Sequence, residues 1–135
     1  MPMPSIRILV AEDSGLWRAQ VRKLLHERPD WQIAGEADDG QQAVQHASEL
    51  RPDLIILDIQ MPVLNGIEAA KQILRVFPSS KIVFLSQYVE PEIIEQALAA
   101  GAVGYVVKAH AARELFPTIE AAIRDGNRAE SPLTI

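Results

Sequence analysis

Four consecutive large aliphatics, Leu54-Ile55-Ile56-Leu57, run straight into Asp58 and then into the loop Ile59-Gln60-Met61-Pro62. An uninterrupted aliphatic run of this length reads as a strand buried on both faces, the kind found at the centre of a parallel sheet with helices above and below it. Asp58 then stands at the C-terminal edge of that strand. The question for the remaining chain is what other strand ends deliver beside it.

Ile6-Arg7-Ile8-Leu9-Val10-Ala11 predicts a first strand that ends in Glu12-Asp13-Ser14-Gly15. Trp17, Val21, Leu24 and Leu25 recur at helical spacing and stop at Arg28-Pro29, because proline disfavours helical geometry in the residue before it. Trp31 to Ala37 reads as a modest edge strand, Asp38-Asp39-Gly40 as a turn and helix cap, and Ala43, Ala47 and Leu50 as one helical face. Asn65-Gly66 caps a third helix carrying Ile67, Ala70, Leu74 and Phe77. Lys81 to Ser86 is a fourth strand, ending in a hydroxyl. Glu90 to Ala100 predicts a helix with Ile94, Ala97 and Leu98 inward and Gly101 as its stop; Val103 to Lys108 predicts a fifth strand, ending in an amine. Leu115, Ile119, Ala122 and Ile123 build a last helix that Gly126 closes.

Strict alternation of strand and helix with short connections implies an α/β fold: a five-stranded parallel sheet, doubly wound and flavodoxin-like, a (βα)5 three-layer sandwich. Ligands of such folds bind at the C-terminal edge of the sheet, near the point where strand order reverses. The expected organisation is a disordered N-terminus over 1–5, one domain over 6–126, and a tail or the start of a linker over 127–135.

With 135 residues the chain has room for one ordinary core. A formal charge of -5 argues against direct nucleic-acid binding by this domain, which usually needs a basic stripe. No apolar run approaches the ~18 to 20 residues of a membrane helix, and the start of the chain lacks the pattern of a signal peptide. Cysteine is absent, which removes disulfides and thiolate metal sites and fits a cytoplasmic location.

Parallel strands bring Glu12, Asp13, Asp58, Ser86 and Lys108 to one edge. Three carboxylates in a small volume repel one another and are tolerated when a divalent cation or an ammonium neutralises them. A hard oxygen site suits Mg²⁺, with Asp13 and Asp58 as direct ligands, Glu12 acting through water and the backbone carbonyl of Gln60 completing the set. Asp58 keeps an oxygen free to attack phosphorus, while Lys108 and Ser86 hold the oxygens of the incoming phosphoryl group.

Taken together, Ala11-Glu12-Asp13, Leu57-Asp58-Ile59-Gln60-Met61-Pro62 with Asn65-Gly66, Leu85-Ser86 and Gly104-Tyr105-Val106-Val107-Lys108 resemble the CheY-like receiver domains of bacterial two-component response regulators, over roughly Ser5 to Gly126. The resemblance implies that Asp58 accepts phosphate from a histidine kinase or phosphotransfer protein with Mg²⁺ on Asp13 and Asp58. It implies a switch made of Ser86 and Tyr105, which alters the face of the fourth helix, fifth strand and fifth helix, where output partners or a second receiver bind on phosphorylation. It also implies that Gln60 and Tyr88, flanking the path of the attacking water, tune the phosphorylation lifetime. The local style of Gly35 to Gly40 and Ala100 to Tyr105 is that of receivers joined to helix-turn-helix domains. A single-domain regulator and a chain cut at a linker are both compatible with this. One position departs from the family: Ala109 stands where proline usually follows the lysine, so a trans peptide is expected.

Other readings stand beside these. Glu12-Asp13 can cap the first helix, and Trp17 can simply pack that helix on the sheet or serve an interface. The rival functions are a Mg²⁺-dependent phosphatase of the haloacid-dehalogenase type, which wants a second Asp where Gln60 stands, and a non-phosphorylated pseudo-receiver that acts only as an interaction module.

Overall fold

The computed structural model describes residues 5–125. The expectations for residues 1–4, for Gly126 and for the tail over 127–135 lie outside the described residues. In chain order the elements are β1 (Ile6–Ala11), α1 (Gly15–Leu25), β2 (Trp31–Ala37), α2 (Gly40–Leu50), β3 (Leu54–Leu57), α3 (Gly66–Val76), β4 (Ile82–Ser86), α4 (Pro91–Ala99), β5 (Gly104–Val107) and α5 (Ala111–Asp125), with a 3₁₀ turn over Lys108–His110 leading into α5.

All strand pairs are parallel, and the sheet order is β2-β1-β3-β4-β5. The order reverses between β1 and β3, which places the ligand-binding crevice of a doubly wound sheet at their C-terminal ends. β2 is an edge strand, as its weak apolar pattern predicts, β5 is the other, and the pairing of β2 with β1 slips by one residue between Ile8 and Leu9.

Alternation along the inner strands divides the core in two. Leu9, Ala11, Ile55, Leu57, Ile82 and Phe84 meet the face carrying α2, α3 and α4. Ile8, Val10, Leu54, Ile56, Val83 and Leu85 meet the face carrying α1 and α5. This is why β3 must be aliphatic at every position: all four of its side chains are buried, two against each helical layer.

Three helices start on side-chain caps. Ser14 accepts from the Trp17 N–H, Asp39 from Gln42 and Asn65 from Glu68, each satisfying a donor that the first helical turn leaves free. The capping role considered for Glu12-Asp13 thus belongs to Ser14. α4 begins one residue later than expected, on Pro91, with no side-chain cap, and Ala97 is its one fully buried residue. Ile93 rather than Ile94 packs beside Leu98 against the core, the rotation of α4 about its axis turning Ile93 inward. Beside α4 a groove of about 720 Å³ lies between it and α3. Pro117 sits inside α5, where its missing N–H removes one helical bond. Among the described residues no helix is long and apolar enough to cross a membrane.

Candidate functional site

β1 and β3 end side by side, with Ala11 in register with Leu57, so the residues that follow both strands share one crevice. The Asp58 N–H donates to the Ala11 carbonyl at 3.0 Å and extends the pairing one residue past the strand. Glu12 is anchored in the same way on the other side, its N–H donating to the Ala37 carbonyl at 2.9 Å. Glu12, Asp13 and Asp58 each bring a carboxylate oxygen within 4.8 Å of the others. Glu12 and Asp58 are buried, 3% and 5% exposed, while Asp13 faces solvent.

Lys108, at the end of β5, reaches past the end of β4 into this cluster. Its Nζ lies 2.6 Å from Glu12 Oε1 and 3.1 Å from Asp58 Oδ2, with its side chain only 10% exposed. Burial works against the Lys108 charge, but the hydrogen bond to Glu12 and the charge of Asp58 outweigh it, and its pKa rises. Glu12 is pushed up mainly by burial, more than its bonds from Lys108 and the Ser14 N–H pull it down. Three carboxylates thus face one ammonium, which leaves negative charge uncompensated. Oxygen donors of net negative charge, one of them open to solvent, form the donor set that a hard divalent cation such as Mg²⁺ takes.

The two Asp58 oxygens are differently held. Oδ1 accepts from the Ile59 N–H at 2.7 Å, and Oδ2 is the one beside Lys108. The loop that follows is closed by the Gly66 N–H donating to the Ile59 carbonyl at 2.7 Å. Gly66 packs so closely beneath Asp58 that a Cβ there would overlap the Asp58 carbonyl. At the apex of the same loop Val63 takes φ 71°, a left-handed conformation unusual for a β-branched residue, and the Leu64 N–H donates to the Pro62 carbonyl across it.

Ser86 is wholly buried at the end of β4, and its Oγ accepts from the Tyr88 N–H at 3.1 Å. An accepting hydroxyl still has its own proton to donate. Tyr105 is half-buried and tilted against Phe84, and its hydroxyl donates to the Tyr88 carbonyl at 2.8 Å. Burial raises the pKa of this phenol. Tyr88 therefore touches both Ser86 and Tyr105, and its own hydroxyl lies 3.4 Å from Gln60 Oε1. Gln60 is exposed and also accepts from Gln87 Nε2 at 2.9 Å, a bridge between the β3–α3 and β4–α4 loops that the sequence reading passed over.

Glu12, Asp13, Asp58, Gln60, Ser86, Tyr88 and Lys108 thus follow or end strands at this one edge, while Tyr105 lies inside β5 and reaches it through its hydroxyl on the Tyr88 carbonyl. No cis peptide occurs among the described residues, so the Lys108-Ala109 bond is trans. What spacing alone did not suggest is the place of Trp17: its ring centroid lies 5.0 Å from Lys108 Nζ. Ser14, three residues before it, is the available signal, since a capping serine fixes where the first helical turn points.

A doubly wound five-stranded sheet with acids at the β1 and β3 ends and a lysine at the β5 end defines the CheY-like class. Residues 8–120 match the family model of the response regulator receiver domain, and the chain belongs to that family, the receiver domains of two-component systems. Magnesium and phosphorylation are general to it. The chain is 39% identical over 124 residues to the uncharacterized transcriptional regulatory protein YxjL of Bacillus subtilis, covering 92% of this chain and 57% of that protein. It is 41% identical over 119 residues to the transcriptional regulatory protein PdtaR of Mycobacterium tuberculosis, covering 87% of this chain and 56% of that one. A LuxR-family two-component response regulator from Aurantimonas sp. superposes with a TM-score of 0.87 at 32% identity, over 95% of this chain and 91% of that chain. The chain thus spans little more than half the length of YxjL and of PdtaR.

Proposed function

We propose that the domain is a phosphorylation-controlled switch in which Asp58 is the phosphoacceptor. The observation that carries this reading is the Lys108 ammonium bridging Glu12 and Asp58 inside an acidic cluster at the β1/β3 crevice. A carboxylate oxygen of Asp58 forms a bond to phosphorus, and the bond from phosphorus to the donor nitrogen of a phosphohistidine breaks, its electron pair leaving with the imidazole. Charge spreads over the phosphoryl oxygens in that step, so positive charge and fixed donors do more than a general base. Lys108 takes one oxygen and the Ser86 proton another. Asp13 and Asp58, with Glu12 and the Gln60 carbonyl beside them, would hold Mg²⁺; when bound, the ion would supply positive charge at the phosphoryl group.

The relay follows from the contacts of Tyr88. Movement of the Ser86 hydroxyl toward the phosphoryl group releases the Tyr88 N–H, and Tyr105 is held by the carbonyl of the same residue. The family resemblance makes the face of α4, β5 and α5 the output face, and α4, without a side-chain cap and with one fully buried residue, is suited to such a shift. A histidine kinase or phosphotransfer protein is the donor, and a second copy of the domain is a partner after phosphorylation. The transcription-related relatives support a role in gene regulation, with DNA contact left to another domain. A cytoplasmic location goes with this reading.

A haloacid-dehalogenase type phosphatase is disfavoured, because the residue placed to protonate a leaving group is Gln60, which has no acid proton. The intact acids, hydroxyl and lysine speak against a pseudo-receiver. The test is Mg²⁺-dependent uptake of beryllofluoride, or of phosphate from a small donor or a kinase. Uptake lost in Asp58→Ala supports the reading, and no uptake by the wild-type protein from any of these sinks it.

A further inference from the structure

Trp17 packs against the core on the α1 and α5 side of the sheet, as its place on the first helix predicts, and the switch gives it no further role. It is half-buried, and its ring face lies over the site lysine, 5.0 Å from the ammonium. Its position is tied to the acidic cluster on three sides. The Trp17 N–H donates to Ser14 Oγ at 3.3 Å, the Ser14 N–H donates to Glu12 Oε2 at 2.9 Å, and Arg18, next in the chain, donates from Nη1 to the Glu12 carbonyl at 2.7 Å. The first turn of α1 therefore moves with Glu12, and Trp17 moves with that turn.

Lys108 needs such a neighbour. Its flexible four-carbon stem leaves β5 at a 3₁₀ turn whose next two residues, Ala109 and His110, are exposed, so the cover that leaves its side chain 10% exposed comes from other elements, with Trp17 beside it. Of the two carboxylates it touches, Glu12 is unaltered by phosphorylation, while Asp58 changes character, since one of its oxygens then bonds to phosphorus. An indole face attracts a cation and is the same before and after that step.

We infer that Trp17 is a positioning residue for the phosphoryl-transfer site, holding the Lys108 ammonium in place as its partner changes from the Asp58 carboxylate to a phosphoryl oxygen. The inference rests on the reading of Asp58 as phosphoacceptor and adds a residue to it. In the transfer from acetyl phosphate, the Asp58 oxygen bonds to phosphorus and the bond from phosphorus to the acetyl oxygen breaks, acetate leaving with the electron pair. Lys108 stays protonated throughout.

The experiment compares wild type, Trp17→Phe and Trp17→Leu at saturating Mg²⁺. Beryllofluoride binding is followed by fluorine NMR, phosphorylation by acetyl phosphate by intact mass, and stability by urea unfolding. Phe keeps an aromatic face and Leu keeps only bulk. The expected result is binding and phosphorylation about five-fold weaker in Trp17→Leu and within about two-fold of wild type in Trp17→Phe. Trp17→Leu is expected to add no further loss when Lys108 is already alanine. Equal losses in both Trp17 variants, no loss in either, or an undiminished Trp17→Leu effect in the Lys108→Ala background would overturn the inference and leave the role of Asp58 standing. Failure of the wild-type protein to bind beryllofluoride would overturn both.

Discussion

The Lys108 ammonium lies 3.1 Å from Asp58 Oδ2 although the two residues follow strands that are not neighbours, with β4 between β3 and β5. The contact is possible because parallel strands end at one edge and a lysine stem is long enough to pass the end of the intervening strand. Opposite charge effects follow from it. Lys108→Met strips the buried carboxylates of their counterion and should lower unfolding stability by about 3 kcal/mol. Asp58→Asn removes one of three mutually repelling acids and should raise the stability of the metal-free protein by about 1 kcal/mol. Urea unfolding in EDTA measures both; equal signs for the two variants would refute this electrostatic account.

Tyr88 should set how long the phosphorylated state lasts. Its phenol hydroxyl lies 3.4 Å from Gln60 Oε1, so the ring stands beside the side chain two residues beyond Asp58. Tyr88→Ala opens that approach to water yet keeps the backbone carbonyl that accepts from Tyr105. Phosphate loss after removal of the donor is expected to be severalfold faster, and an unchanged rate counts against the steric role.

Gly66 has no room for a side chain, since a Cβ there would overlap the carbonyl of Asp58. Gly66→Ala should cost about 3 kcal/mol of stability by overpacking and should also weaken beryllofluoride binding, because the strain falls on the Asp58 backbone. An alanine variant with wild-type urea midpoint would show that the loop relaxes freely.

The limits of sequence reasoning are visible in the same residues. Leu54 to Leu57 announce a two-sided strand because the run is short, aliphatic at every position and set between Arg51-Pro52-Asp53 and a proline loop, and once all strands are parallel, Glu12, Asp13, Asp58, Ser86 and Lys108 must share an edge. That much is periodicity and topology. Trp17 over Lys108, Gln87 bonded to Gln60 and the choice of Ile93 over Ile94 depend on rotamers and on the exact rotation of a helix about its axis. A slip of one residue turns a helix by about 100°, so period alone does not decide them. The choice of Ser14 over Asp13 as the cap of α1 is of the same kind: both residue types cap well, and the backbone decides which one precedes the first turn.

Away from the site, Glu36 on β2 is clasped by Arg22 at 3.0 and 2.9 Å and lies near Arg18. The Arg22 hydrogen bonds hold its carboxyl below the ordinary value of 4.5. A lowered carboxylate pKa contributes stability above the unfolded value, and that contribution is lost as pH falls through the folded one. With side chains 42% and 30% exposed, the pair is largely screened and its contribution at neutral pH is small. Wild type should therefore exceed Glu36→Gln modestly in stability at pH 7, and the gap should close below pH 4.5. A gap that widens on acidification would contradict the sign.

The identity of the phosphoacceptor is tested most directly by chemical trapping. The protein is incubated with Mg²⁺ and a small phosphodonor, then reduced with borohydride, which converts an acyl phosphate to an alcohol and leaves a free carboxylate alone. Peptide mass spectrometry is expected to find homoserine at position 58 in the treated protein and nowhere in Asp58→Ala. Homoserine at position 13, or phosphate retained on a serine or tyrosine with position 58 unchanged, would contradict the central claim.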